Sequence, residues 1–232
     1  MKLFFEESKP TYQSYLFPYS INAYFEIGDN IDHFLEMGFL PTRTLDHNRF
    51  YMGRSVRVNL NQFSLSSENR RILNKTESVS YEKIPITNFV YNYHIQKFCK
   101  DYFDNRFGHG KMSASAIKRI FTNSWNNYVY VFKDNDKDKI IGYVAHFENE
   151  KCDHYAYPFY DLDYFKQNLG ARMILTAIMD AANAHKQYVY LGTLYEASAL
   201  YKSEFEGFEW WNGNDWGNDK TILKNLINTN NQ

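Results

Sequence analysis

The order of elements predicted between residues 156 and 211 constrains the fold more than any other feature of the chain. A short aromatic strand, AYPFY, leads into a loop, and a helix of about five turns is predicted over 168–185 from the apolar stripe on one of its faces. A strand, YVYLG, follows, and then a short helix and an aromatic run, FEWW. This order is typical of an α+β chain whose helices pack on the faces of a mixed sheet.

The remainder of the chain is predicted to extend the same arrangement. Strands are predicted over 128–132, 140–147 and 154–159, and helices over 30–37, 88–103 and 113–121. The segment 49–63 alternates apolar and polar residues, which predicts one half-buried strand. Because residues 75–86 are polar and contain Pro85, we place a boundary there. A smaller N-terminal α/β portion over 1–80 and a larger domain over 81–232 are expected.

The charge of the chain is close to neutral overall but uneven along its length. The formal net charge is −1, which excludes the global basic field of a non-specific nucleic-acid binder. A local basic patch lies between residues 41 and 75, with seven Lys and Arg side chains against two acids. This part of the chain is therefore expected to help bind an anionic partner.

The cysteines and histidines predict neither a metal site nor a secreted protein. Cys99 and Cys152 lack metal-ligand spacing, and the seven histidines form no ligand pattern. The first residues lack the apolar core of a signal peptide, and no apolar run is long enough to span a bilayer. We expect a cytoplasmic protein with no bound metal or cofactor and no membrane partner.

Two short motifs resemble GNAT acyltransferases. The sequence QNLGAR at 167–172 resembles the pyrophosphate loop of that fold, in which a glycine lets the backbone approach a ligand and the helix N-terminus offers free amides to an anion. The sequence ALYK, which ends at Tyr201 and Lys202, resembles the end of GNAT domains, where a tyrosine faces the acyl donor. A GNAT-like acyltransferase core is the expected fold of the larger domain.

Two blocks together resemble a narrower family, the arginyl/leucyl-tRNA–protein transferases. The first block consists of GF at 38–39, SVRV at 55–58, Phe63, Ser66 and RR at 70–71. The second consists of YPFYD at 157–161, NLG at 168–170, YVYLG at 188–192, YK at 201–202 and Phe205. The blocks occur in the family's order over most of the chain.

The resemblance implies transfer of an amino acid, Arg or Leu, from charged tRNA to the N-terminal amine of a protein with an acidic first residue. The aminoacyl ester is already activated, so the enzyme has to hold it against a neutral amine and needs no covalent nucleophile. Tyr201 or Tyr157 would assist proton movement, and Asp161 would orient the amine. A packing role for Tyr201 and a turn-capping role for Asp161 are open alternatives.

The resemblance also implies a set of binding residues. Arg57, Arg70 and Arg71 would contact either the acceptor-stem phosphates or the acidic side chain of the protein substrate, unless they form solvated faces. The donor would be held by amides near Gly170 and Gly192 and by Lys202. The expected partners are therefore aminoacyl-tRNA and protein or peptide N-termini.

Two other functions remain open at the level of sequence. An acyl-CoA-dependent N-acyltransferase would use the same cleft, with Gly170 and the amides after it at the pyrophosphate. A non-catalytic module that binds tRNA or N-termini is the other, because the segment between Gly192 and Tyr201 is about two residues shorter than the family pattern. The family's usual cysteines before the Val-Arg-Val strand are also absent.

Overall fold

The structure, a computed structural model, describes residues 1–7, 19–43 and 46–229. Its strands are β1 Lys2–Glu7, β2 Tyr19–Tyr24, β3 Phe39–Pro41, β4 Arg49–Met52, β5 Ser55–Asn59, β6 Val79–Pro85, β7 Tyr128–Asp134, β8 Lys139–Glu148, β9 Cys152–Tyr160, β10 Tyr188–Thr193, β11 Phe208–Trp211 and β12 Trp216–Gly217. Its α-helices are α1 Ile31–Glu36, α2 Ser67–Lys75, α3 Tyr93–Phe107, α4 Ala114–Thr122, α5 Leu169–Asn183 and α6 Lys220–Thr229.

The strands form two sheets. The smaller sheet has the order β1-β2-β4-β3 and is antiparallel. The larger has eight strands in the order β12-β11-β5-β10-β9-β8-β7-β6. Within it β9 and β10 pair in parallel and the other neighbours pair antiparallel. The α+β class, with a mixed sheet flanked by helices, is therefore confirmed.

Helices cover both faces of the larger sheet. Successive residues of a strand point to opposite faces, and two neighbours in β8 show what lies on each. A Cβ placed on Gly142 would lie 3.0 Å from Met173 Cε of α5. The ring of Tyr143 lies 5.4 Å, centroid to centroid, from that of Phe98 in α3. The main core consequently fills the layers on both sides of the sheet, with α5 on one face and α3 on the other.

The parallel pair separates before it reaches the ends of its strands. Pairing runs from Tyr188 opposite Cys152 to Tyr190 opposite His154 and then stops. The register of β10 against β5 also shifts after Tyr190, and Gly192 has a φ of +77°, which favours glycine. Because β9 continues to Tyr160, an opening forms between the two strands.

The smaller sheet and α1 pack against one end of the larger sheet. Leu35 and Leu40 lie in a buried cluster with Phe147, Cys152 and Tyr190. Trp216 Nε1 donates to the carbonyl oxygen of Glu36 at 2.7 Å. The two sheets are therefore joined by apolar side chains from each of them and by this hydrogen bond.

The prediction of a single strand over 49–63 is wrong, because Gly53 and Arg54 belong to no strand and separate two strands. Residues before the break form β4 in the smaller sheet, and residues after it form β5 in the larger one. A 3-10 helix, Leu60–Gln62, then replaces the predicted end of the strand. The alternation of apolar and polar residues continues across the break, so periodicity alone does not reveal it.

The polar segment placed at the boundary contains an unpredicted strand. Residues Val79–Pro85 form β6, which pairs with β7 at the edge of the larger sheet. Its first residue is buried and the next three are exposed, so it lacks the alternation used to recognise strands. Pro85 is tolerated because it ends an edge strand.

The division of the chain into a binding part, 1–80, and a catalytic part, 81–232, stays a prediction. Structurally, β5 comes from the first part and lies between β10 and β11 of the second. Residues 8–18, 44–45 and 230–232 fall outside the described structure. In the part that is described, no helix is both long and apolar enough to cross a membrane.

Candidate active site

The separation of β9 and β10 opens a cavity of roughly 660 Å³. This volume lies within the range of about 300–1,000 Å³ that is usual for small-molecule sites. Its walls come from β9, β10, α3, the first turn of α5 and a 3-10 helix, Ala197–Glu204. Five of the predicted site residues line it: Tyr157, Gly170, Gly192, Tyr201 and Lys202.

Lys202 enters the cavity from the 3-10 helix and is held by backbone carbonyls. Its Nζ donates to Leu191 O at 2.8 Å and to Thr193 O at 3.0 Å, the carbonyls on either side of Gly192. No carboxylate within the described residues forms an ion pair with it. Burial lowers the pKa of Lys202 to about 8. An ammonium has three N–H donors, so one remains for a ligand.

The first turn of α5 presents backbone amides to the cavity. Asn168, with a φ of +63°, precedes the helix and forms no side-chain hydrogen bond that caps it in the described structure. Gly170 and Ala171 line the cavity, and their N–H groups lie in the first turn, where helical partners are missing. A Cβ on Gly170 would lie 3.2 Å from Tyr160 Oη. The glycine therefore permits close packing where the amides can receive an anion.

The two tyrosines predicted to move protons are both neutral phenols. Burial is the main cause that raises the pKa of Tyr201 to about 12, and it raises that of Tyr157 to about 12 as well. Tyr201 nevertheless keeps 39% of its surface exposed at the cavity. Each phenol can donate one hydrogen bond and accept others at neutral pH.

Neither a histidine base nor a cysteine nucleophile is available in the described walls. His154 lines the cavity, but burial lowers its pKa to about 3, which is too low for a general base near pH 7. Cys99 and Cys152 are buried outside the cavity wall, and burial raises the pKa of both thiols. Near pH 7 these cysteines are therefore protonated thiols rather than reactive thiolates.

Arg106 lines the cavity and was missed at the level of sequence. It lies at the end of α3, four residues after the buried Tyr102. The carbon of its guanidinium lies 5.9 Å from the ring centroid of Phe107 and 6.0 Å from that of Phe165. Its spacing from Tyr102 places both on one helix face, which is a signal that the sequence contained.

Arg57 lies on β5 and does not line the cavity. Its Nε donates to Glu209 at 2.7 Å. Its guanidinium is stacked between two rings, 3.8 Å from the centroid of Tyr188 and 4.0 Å from that of Trp216. Only 6% of the residue is exposed. Its predicted contact with phosphate or substrate stays a prediction, since the side chain is already surrounded by partners.

Arg70, Arg71 and Asp161 also lie outside the cavity wall. Arg70 is exposed and donates to Leu65 O at 2.6 Å, and Arg71 forms a bidentate pair with Glu68, both bonds being 2.6 Å long. Glu68 itself lines the cavity, so Arg71 lies next to its rim. Asp161 caps a 3-10 helix by accepting from Asp163 N at 3.0 Å. The predicted substrate contacts of these three residues stay predictions.

A buried charged group lies elsewhere, on β8 and β9. Side-chain atoms of His146, Glu148 and Asp153 all lie within 4.8 Å of one another, a spacing that could hold a metal ion. Lys186 Nζ donates to both Asp153 and Glu148 and so places an ammonium among these ligands. Burial opposes ionisation of Asp153, but His146 and Lys186 keep its pKa below the usual value. Lys83, which also pairs with Glu148, and Lys186 together balance the charges of the two carboxylates.

Comparison with known proteins identifies the family. The model of the family described as arginine-tRNA-protein transferase, C terminus, matches residues 75–212, more than half of the chain. The chain belongs to this family. The matched span includes every predicted site residue that lines the cavity, together with Arg106, and excludes Arg57, Arg70 and Arg71.

A curated relative and several solved structures are similar over parts of the chain. An aspartate/glutamate leucyltransferase of Ruegeria pomeroyi is 43% identical over 63 residues, which are 26% of this chain and 23% of that relative. The chain thus matches less than a quarter of the relative's length. The C-terminal domain of a putative lysylphosphatidylglycerol synthetase from Agrobacterium fabrum covers 61% of this chain and 46% of its own, at 13% identity and a TM-score of 0.44. FemX covers 75% and 63%, at 10% identity and a TM-score of 0.45.

Proposed function

We propose that this chain transfers an amino acid from aminoacyl-tRNA to the N-terminal amine of a protein or peptide with an acidic first residue. The observation that carries the proposal is the position of Lys202 in the cavity, where it is a cation without a carboxylate partner in the described structure. The chain that forms this cavity belongs to a transferase family. The remaining N–H of Lys202 suits an oxygen that gains negative charge during acyl transfer.

The proposed reaction is a direct aminolysis of the ester. The neutral amine attacks the ester carbon, forms the new C–N bond and gives a tetrahedral intermediate whose oxyanion accepts from Lys202. The bond from carbon to the ribose oxygen then breaks. The proton lost by the amine passes to that oxygen, and Tyr201 relays it as a neutral phenol. The products are a peptide bond and deacylated tRNA.

Tyr157 and the α5 amides complete the proposed site. Tyr157, on β9, lines the same cavity as Tyr201 and supplies a second neutral hydroxyl. The amides of Gly170 and Ala171 would hold the phosphate nearest the 3′ end of the tRNA. The attack by the amine and the departure of the ribose oxygen need no metal or organic cofactor, because the acyl group is already activated as an ester.

The donor carries arginine or leucine, and the cavity offers features for both. Aromatic walls at Phe103, Phe107 and Phe165 suit a leucyl side chain. The exposed carboxylates of Glu196 and Glu204 suit a guanidinium. The mass of the product decides between them.

The proposal is tested by intact-mass measurement of a peptide that begins with Glu. We expect a gain of one arginyl or leucyl residue when the protein is incubated with the correspondingly charged tRNA, and no gain with acetyl-CoA. A gain of an acetyl group with acetyl-CoA would instead assign the α5 amides to a pyrophosphate. No gain with either donor, together with measurable binding of tRNA, would leave a binding module.

A further inference from the structure

An exposed aromatic ring lies at the opening of the cavity. Tyr195 lines the cavity and yet keeps 47% of its surface exposed. It lies after β10 and before the 3-10 helix Ala197–Glu204, in the segment between Gly192 and Tyr201. The transfer described above makes no use of this ring, so a large apolar surface at the cavity is left without a partner.

The two residues between β4 and β5 hold this ring in place. Arg54 N donates to the Tyr195 hydroxyl at 3.2 Å, and Leu194 N donates to Arg54 O at 3.0 Å. Leu194 is fully buried, which fixes the backbone next to the ring. A Cβ on Gly53 would lie 2.7 Å from the Tyr195 hydroxyl oxygen, so the hydroxyl packs directly on the glycine. The ring is therefore already positioned before a ligand arrives.

A cation without a counter-ion lies beside the ring. The guanidinium carbon of Arg54 lies 5.7 Å from the ring centroid of Tyr195. Its Nη1 has no hydrogen-bond partner in the described structure, and none of the described carboxylates forms an ion pair with it. The opening of the cavity thus combines an aromatic surface with a positive charge. Proteins that bind single-stranded nucleic acids use this combination, in which bases stack on aromatic rings and cations attract the backbone.

We propose that Tyr195 stacks the last base of the donor RNA and thereby positions the ribose ester at Lys202. Lys202 Nζ donates to Thr193 O, and Tyr195 follows Thr193 by two residues. Two residues of chain span at most about 7 Å, so a base on the ring leaves its ribose within reach of the ammonium. The positioning of the ester rests on the proposed function, whereas the stacking of a base on Tyr195 does not.

The charge beside the ring favours a nucleotide over an aromatic side chain of the acceptor. A nucleotide brings a phosphate, whose negative charge complements the guanidinium of Arg54. An apolar side chain would leave this guanidinium without a counter-ion. Adenine is the last base of tRNA and also the base of coenzyme A, so the same ring could stack either, and the experiment has to compare the two.

Calorimetric titration of the full chain measures whether a base is held. The ligands are an oligonucleotide that ends in CCA, the same oligonucleotide with an abasic last nucleotide, coenzyme A, and the peptide that begins with Glu. We expect the wild type to bind the CCA end about 5- to 150-fold more tightly than the abasic end, the range for one base stacked on an aromatic ring. Coenzyme A should bind more weakly than the CCA end.

Two variants at one position separate the ring from its hydrogen bond. Tyr195→Leu and Tyr195→Phe both lose the bond from Arg54 N, but only Tyr195→Leu loses the ring. We expect Tyr195→Leu to bind the CCA end no better than the abasic end, and Tyr195→Phe to keep the preference of the wild type. The control Tyr93→Leu removes an exposed tyrosine of α3 that does not line the cavity, and it should leave every affinity unchanged.

Four results would overturn the proposal. Equal binding of the CCA and abasic ends by the wild type would show that no base is stacked. A preference for the CCA end that persists in Tyr195→Leu would place the base elsewhere. If Tyr195→Leu weakens binding of coenzyme A alone, the ring holds the adenine of that donor. If it weakens binding of the peptide alone, the ring belongs to the acceptor.

The mass assay separates failure of this proposal from failure of the proposed function. A base preference that Tyr195→Leu abolishes, without transfer of an amino acid by the wild type, would keep the stacked base and remove the function. Transfer by the wild type without any base preference would keep the function and remove the stacked base.

Discussion

Lys202 is held by two carbonyl groups and no described carboxylate, and this determines how its charge responds to pH. In the unfolded chain a lysine has a pKa of about 10.4, whereas burial lowers that of Lys202 to about 8. Between these values the unfolded chain keeps a proton that the folded chain has released. The contribution of Lys202 to the free energy of unfolding therefore rises as the pH rises from about 8 to about 10.

The variant Lys202→Met isolates this effect from the rest of the chain. We expect the free energy of unfolding of the wild type, relative to the variant, to increase by about 2–3 kcal/mol between pH 7.5 and pH 10. Urea denaturation of both proteins across this range measures it, and other titrating groups cancel in the difference. A difference that does not change with pH would show that the ammonium is not desolvated.

Arg57 shows how a residue assigned to binding can be held by structural contacts. Because Arg57 is nearly buried between Tyr188 and Trp216 and paired with Glu209, its removal leaves a largely buried carboxylate without its cation. We expect Arg57→Ala to lower the free energy of unfolding by about 3 kcal/mol.

Arg70→Ala is the matched control for Arg57→Ala. Arg70 is exposed and bonds one backbone carbonyl, so its removal should change stability by less than about 0.5 kcal/mol. Urea denaturation compares the two variants. Unchanged stability of Arg57→Ala, together with weaker binding of tRNA, would instead support the phosphate contact predicted for this residue.

At the scale of elements, the irregular end of β10 positions the site. Gly192 has a left-handed φ, and the carbonyls on its two sides hold Lys202. An L side chain at this position strains the backbone by about 1 kcal/mol, and the strain falls on the segment whose carbonyls hold the ammonium. We expect Gly192→Ala to lower both stability and the rate of transfer.

Gly213→Ala separates strain from function. Gly213 also has a positive φ, of +107°, and a Cβ there would meet nothing within 4 Å. Both variants should lose a similar amount of stability in urea denaturation, and only Gly192→Ala should lose transfer in the mass assay. Equal transfer rates would show that the shape of β10 does not position Lys202.

Elements with a continuous apolar pattern were predictable, and interrupted ones were not. The helix predicted over 168–185 is confirmed as α5, because its apolar stripe repeats without a break. The start of α3 was placed at 88 and lies at Tyr93, since Asn92 caps the helix by accepting from His94 N and Ile95 N. The separation of β4 from β5 was not predictable, because the two strands pair in different sheets with strands that are distant in sequence.

At the scale of the whole molecule, the larger sheet requires both parts of the chain. Val56 and Val58 of β5 are fully buried between β10 and β11. A fragment of residues 81–232 lacks this strand and exposes two unpaired strand edges. We expect the fragment to show no cooperative urea transition, whereas a fragment that begins at residue 46 should show one. Cooperative unfolding of 81–232 would support the boundary placed near residue 80.

The candidate site was predictable where its residues are close in sequence. Tyr157, Gly170, Gly192, Tyr201 and Lys202 all come from the single stretch 156–211, whose element order brings them to one cleft. Arg106 comes from another helix, and the partners of Arg57 lie more than 130 residues away in sequence. Long-range contacts decide which cations remain unpaired, so the charge pattern did not indicate that Arg106 lines this cavity.

Single-turnover transfer from charged tRNA to the Glu peptide, with the wild-type chain and with Lys202→Met, measures whether this chain is an aminoacyltransferase that uses Lys202. We expect the wild type to extend the peptide by one amino acid. Lys202→Met should do so about 100-fold more slowly with an unchanged Kd for tRNA, because one donor to the oxyanion is lost. No extension by the wild type, or equal rates for the two proteins, would contradict it.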